Sequence, residues 1–186
     1  YACSIDATTP SRYMTWFQAQ QTCELSGKTL CSNTEWQAAA AGTFDYDTAT
    51  GGAATRCHLS GTAPRTTGMA GNIPGGRDSC ISMWGAEDMN GNVWEWTSDW
   101  FVAGRGLHTS DGEHGLWPTG FNDDITMNVN GRATTGTSGF TNGLPAAGFR
   151  GGQWSSGNTG GLFTMDLNYA PSNSTDALGA RCCIQR

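Results

Sequence analysis

The sequence predicts a single α+β domain in which two short helices and a few short strands are set among long loops. Three observations carry that expectation. Residues 15–26 and 33–41 each place a capping side chain ahead of a helical pattern. The run Val93-Trp94-Glu95-Trp96-Thr97 follows the tight-turn pair Asn90-Gly91 and alternates as a strand does. Finally, 27 glycines and 8 tryptophans stand against a hydrophobic content of 37%, so the core must be a few large rings rather than a broad aliphatic layer. A length of 186 residues suits one domain, spanning 1–186.

In the first predicted helix Thr15 is the cap, Gln18 completes a capping box and Gly27 supplies the stop. Trp16, Ala19, Gln20 and Cys23 fall on one face. The second helix takes Asn33 or Thr34 as its cap and ends at Gly42. Residues 43–78 hold no period of 2 or 3.6 and read as a long irregular loop. In the strand after Asn90-Gly91, Trp94 and Trp96 share one face and Val93, Glu95 and Thr97 the other, which makes it the central strand of the core. Residues 102–145, rich in Gly and Asn, read as an insertion lying over one surface. Short strands are expected around 152–154 and 179–183.

Composition narrows the function. The net charge is −6, Lys28 is the only lysine, and no basic run exists, so no nucleic-acid footprint is present. No apolar stretch reaches membrane-spanning length, so direct membrane insertion is not expected. The cysteines at 3, 23, 31, 57, 80, 182 and 183 are odd in number, leaving at least one thiol free or paired between chains. Their spacing fits no zinc signature, and one to three structural bridges are expected, with Cys57 and Cys80 a plausible pair across a loop. That pattern leans towards an oxidising compartment. A first residue of Tyr1 suggests a processed chain or a fragment.

The stretch 148–181 is the most unusual. Small polar residues (Gln153, Ser155, Ser156, Asn158, Thr159, Asp166, Asn168, Tyr169, Thr175, Asp176) alternate irregularly with a scaffold set that includes Gly151, Gly152, Trp154, Gly157, Leu162, Phe163, Leu167, Pro171, Leu178 and Gly179. Burying both sets would carry unsatisfied hydrogen-bonding groups into the core, so the apolar set should anchor the segment and the polar set face solvent or a ligand.

Three stretches carry a family resemblance in order along the chain: 15–43 (TWFQAQQTCELSGKTLCSNTEWQAAAAGT), 84–100 (WGAEDMNGNVWEWTSDW), and FRGGQW with a closing GARC. Together they resemble the formylglycine-generating-enzyme (sulfatase-modifying factor) type of C-type lectin fold, which implies two helices, a small twisted antiparallel sheet and extensive loops. Within that fold, residues 150–179 are similar to the C-terminal segment of variable proteins of diversity-generating retroelements. In those proteins an error-prone reverse transcriptase rewrites template adenines, so asparagine codons become other residues. An AAC codon altered at its first two bases reaches Ser, Thr, Asp, Tyr, Ala and Gly and never a stop, which covers Ser155, Ser156, Thr159, Asp166, Tyr169, Thr175, Asp176 and Ala177. Gln153 needs a different template codon. The chain departs from the family at Ala180, where a Phe is usual, and lacks the strands expected ahead of its amino terminus.

The resemblance also frames the chemistry. The oxidising enzymes of the family use two copper-binding cysteines, which would fall where this chain reads WSSGNTG at 154–160; without a thiol there, oxidase chemistry has no ligands. His108, Asp111, Glu113 and His114 form either a cation-binding cluster or a solvated loop. Asn92 and Glu95 match positions that hold a structural calcium in the family; otherwise Asn92 completes the turn and Glu95 meets Arg150 or Arg181. No cofactor is required. The expectation is a non-catalytic binding module: Gln153, Ser155, Ser156, Asn158, Thr159, Asp166, Asn168, Tyr169, Thr175, Asp176 and Ala177 form one exchangeable patch that contacts an unknown protein or surface ligand. Display on a cell, by secretion or on a phage is favoured. The alternatives are an oxidase relative and an undiversified surface adhesion domain.

Overall fold

Helix α1 (Trp16–Glu24) begins where the sequence predicts, because Thr15 and Gln18 complete a reciprocal capping box. In the computed structural model, which describes residues 2, 5, 7–43, 57–68, 80–101, 126–127 and 145–184, the chain then turns through Gly27 into the short strand β1 (Thr29–Leu30). Helix α2 (Asn33–Ala40) is capped by Ser32 rather than Asn33 or Thr34: its hydroxyl accepts the Glu35 N–H while the Glu35 carboxylate accepts the Ser32 N–H. The box wins because it satisfies donors at both ends of one turn, whereas Asn33 already lies inside the helix. Asp99 accepts the Asn33 N–H at 2.5 Å and fixes the start of α2 on the sheet.

The remaining strands are β2 (Trp94–Phe101), β3 (Thr126–Met127), β4 (Ala146–Arg150), β5 (Met165–Asp166), β6 (Leu178–Ala180) and β7 (Cys182–Cys183). Among the described residues, five of them form a sheet in the order β3-β5-β4-β2-β6. Strand β2 lies inside the sheet, though β4 and not β2 is its middle strand; it pairs antiparallel with β4 (Trp96 opposite Phe149) and parallel with β6 (Trp94 opposite Leu178). The sheet is therefore mixed. A register shift between Trp96 and Trp100 accommodates an irregularity in the β2–β4 ladder. The strand expected at 152–154 lies earlier, at β4. Gly151 and Gly152 have φ of +90° and +85°, which end the ladder at Arg150. Most of the insertion lies outside the described residues; within it, Thr126–Met127 pairs parallel with β5 at the sheet edge.

The core follows the alternation along β2. Trp94 and Trp96 meet Phe149 edge-on, each with centroids 5.1 Å apart, and Ala19 and Cys23 of α1 join the same cluster. On the other side Trp36, Met89 and Leu162 form a second cluster under α2. The adjacent cysteines of β7 point to opposite faces, as strand neighbours must, and so reach different partners: Cys182 bonds Cys23 of α1 and Cys183 bonds Cys31 after β1. Cys57–Cys80 is the third bridge, the pairing expected across the loop. Cys3 lies outside the described residues. The two bridges to β7 span 159 and 152 residues of sequence; in the chain-entropy account of disulfides the first closed is worth about 5 kcal/mol and the second, which then closes only a short remaining loop, about 2.5 kcal/mol.

Candidate ligand-binding face

The segment after β4 is held from beneath by an arginine. Arg150 is fully buried and its guanidinium lies 4.9 Å over the Trp36 ring. Nη2 donates to the Leu162 carbonyl (2.9 Å) and to Gln37 Oε1, and Nη1 donates to the Phe163 carbonyl (3.2 Å). One side chain thus ties the 160–164 loop to the sheet and to α2. Gly151 and Gly152 then turn the chain where no side chain fits: a Cβ on Gly151 would stand 2.9 Å from the Met89 carbonyl oxygen, and one on Gly152 2.9 Å from Gly160 Cα. Trp154 donates its N–H to the Asn92 carbonyl (3.1 Å) and buries its ring in the aromatic cluster.

On this frame Ser155, Asn158 and Asp176 are exposed, and Gln153, Ser156, Thr159, Asn168, Tyr169 and Thr175 are half-buried. Ser156 and Thr159 flank a single 3₁₀ turn (Gly157–Thr159) closed by short polar contacts. Ser156 Oγ accepts the Gln153 N–H (2.9 Å), and Thr159 Oγ1 donates to the Ser156 carbonyl (2.8 Å). Three polar stretches reach one apolar cluster: Trp154 and Ala177 belong to the cluster that holds Trp94, Trp96 and Phe149, and Tyr169 packs against it. Tyr169 reaches it with its ring 5.4 Å from Phe149.

Two of the eleven expected positions are buried. Asp166 lies on β5 opposite Phe149 and is 4% exposed; Ala177 is 7% exposed, with its carbonyl accepting the Trp94 N–H (2.8 Å). Polarity selects Asp166 and codon reachability selects Ala177, and neither criterion carries information about burial. Burial pushes the Asp166 carboxyl up to about 7, against the lowering effect of hydrogen bonds from the Asn168 backbone and side chain. Burial and the neighbouring Asp166 charge also raise the Tyr169 hydroxyl.

Glu95 meets the Arg181 guanidinium, one of the two arginine partners expected for it. Glu95 Oε1 accepts from Arg181 Nη2 (2.8 Å), and Oε2 accepts from Arg181 Nε (3.0 Å) and from Trp36 Nε1 (2.7 Å). Burial disfavours the Arg181 charge, but Glu95, with Asp88 and Glu87, outweighs it and raises its pKa. Asn92 Oδ1 accepts the Arg65 backbone N–H (3.0 Å) and Nδ2 donates to Asp88 (3.3 Å). Among the described residues no group of three or more His, Cys, Asp and Glu could hold a metal ion, and residues 108–114 lie outside them. All six described cysteines are in disulfides, and the loop at 154–160 brings hydroxyls and an amide, not thiols.

Sequence reasoning passed over Arg150 as an anchor, although an arginine between Phe149 and two glycines is an improbable surface pattern. It also missed Arg12 and Tyr13. Tyr13 donates its N–H to the Thr175 carbonyl (3.0 Å), and Arg12 Nη1 donates to the Asp176 carbonyl (3.2 Å), which lays the amino-terminal segment along the third polar stretch.

Two capped helices packed on small sheets, with a mixed five-stranded sheet carrying long loops, define a C-type lectin-like fold. The chain belongs to the sulfatase-modifying factor enzyme 1-like domain family, whose profile matches residues 2–186. Among solved structures it is similar to the Major Tropism Determinant U1 variant (26% identity, TM-score 0.56) and I1 variant (25%, 0.57). The P3c variant is similar at 24% identity and TM-score 0.56. Each likeness covers 90% of this chain but 36% of the other, so the chain spans little more than a third of the length of the structures it matches. No curated protein sequence matches it significantly.

Proposed function

We propose that this domain is a non-catalytic ligand-binding protein whose exposed C-terminal residues choose the partner and are exchanged by a retroelement. The observation that carries the reading is the division of 148–181 into a buried frame, centred on Arg150, the glycine pair, Trp154 and Leu178, and a polar set of Gln153, Ser155, Ser156, Asn158, Thr159, Asn168, Tyr169, Thr175 and Asp176 that is exposed or half-buried, with Tyr169 packed against the aromatic cluster. Adaptable polar side chains with one aromatic, on a frame insensitive to their identity, are the arrangement of an antibody paratope. Asp166 and Ala177 belong to the frame in this reading. The partner is a protein or another surface ligand, as the name of the Major Tropism Determinant variants suggests for those proteins. Three disulfides favour display outside the cell or on a phage.

Sequencing the DNA around the coding region tests the diversification. A near-copy of the 148–181 segment with adenines at the exchangeable codons is expected; its absence leaves an undiversified adhesion domain. The family also contains oxidising enzymes, and copper-dependent oxygen uptake with a thiol peptide would move the assignment to that class.

A further inference from the structure

We propose that Tyr13 and Arg12, outside the exchangeable segment, form a constant contact at the edge of the binding face and engage every protein ligand that the exchangeable residues select. The inference rests on the reading of the face given above. Tyr13 is one of four described non-glycine residues with positive φ, at +58°, a conformation that is uncommon for an aromatic residue and is kept only where surroundings enforce it. Its ring nonetheless contributes nothing to the core, being 62% exposed. The backbone is locked in place by the Tyr13 N–H on Thr175, and the next residue, Met14, packs against the aromatic cluster.

The ring is also held from one side. The Arg12 guanidinium carbon lies 5.5 Å from its centroid while Nη1 donates to the Asp176 carbonyl, so both side chains are fixed before a ligand arrives. A strained, exposed aromatic stiffened by an arginine has a low ordering cost on binding, and Tyr and Arg are the residue types that dominate protein–protein affinity. The site would take a folded protein surface that offers an apolar patch for the ring next to a carbonyl or carboxylate for the remaining guanidinium donors. Because it is tied by backbone groups to Thr175 and Asp176, its position does not change when their side chains do.

The test is a display library of this chain randomised at Gln153, Ser155, Asn158, Thr175 and Asp176 and selected separately against lysozyme and ribonuclease A. Tyr13→Gly and Arg12→Gln are then made in several recovered binders. Tyr13→Gly is expected to weaken binding at least tenfold in most of them while leaving the melting temperature unchanged or higher, since glycine relieves the positive φ. Arg12→Gln is expected to weaken binding less, without unfolding. Binders indifferent to both substitutions overturn this proposal and leave the face intact, whereas a library that yields no binder contradicts the face and this proposal with it.

Discussion

Glu95 joins the two halves of the core, since its carboxylate accepts from the Trp36 indole on one side and from Arg181 on the other. Glu95→Gln would leave the Arg181 guanidinium beside a neutral group. Removing one partner of a buried pair costs about 3–5 kcal/mol, and because 28% of the Arg181 side chain remains accessible the expected loss is nearer 2 kcal/mol, measured by urea unfolding. Asp166 makes a separate prediction of opposite character. Its carboxyl is raised to about 7 in the folded protein against an ordinary value near 4, so between these limits the native state holds a proton that the unfolded chain has released. Stability therefore falls as pH rises from about 4 to about 7 and is level above that. Asp166→Asn is expected to flatten this slope in melts at pH 4 to 8 and to raise the melting temperature at pH 8; a slope unchanged by the substitution would contradict the burial assigned to this carboxylate.

Elements that announce themselves locally were the legible ones. Helix α1 was readable because Gln18 lies within it and Thr15 and Gly27 lie within three residues of its ends, and β2 because an Asn-Gly turn precedes alternating indoles. The cap of α2 slipped by one residue because Ser32, Asn33 and Thr34 are all capping types and only the reach of Glu35 distinguishes them. Strand β4 was missed since Ala146-Ala147-Gly148 carries no strand preference of its own; it is ordered by pairing with β2 and β5, whose partners lie about 50 and 15 residues away in sequence. The pairings of Cys182 and Cys183 were illegible for the same non-local reason. In the segment 148–181, three of the eleven expected positions are exposed, six are half-buried, and Asp166 and Ala177 are buried, since neither a short acid nor an alanine declares its burial. At this scale the core makes one firm prediction: Trp96→Ala opens a cavity beside Phe149 and should cost roughly 3–5 kcal/mol, read as a shift of the urea midpoint at constant slope.

For the molecule as a whole, the account is one of insulation. Three disulfides, the β2 indoles and the Arg150 anchor tie down the C-terminal loops through sulfurs, buried rings and backbone carbonyls, while among the polar set Ser156 and Thr159 close their own turn. Under the proposed function, partner choice would change without renegotiating the fold. The most direct measurement is the thermal melt of a variant in which Gln153, Ser155, Asn158, Thr175 and Asp176 are all replaced at once by other polar or aromatic residues. Exposed substitutions move stability by about 0.5 kcal/mol or less each, so the melting temperature should stay within a few degrees of the parent. A loss as large as that of Trp96→Ala would mean that these side chains hold the fold together, and the separation of face from frame would be wrong.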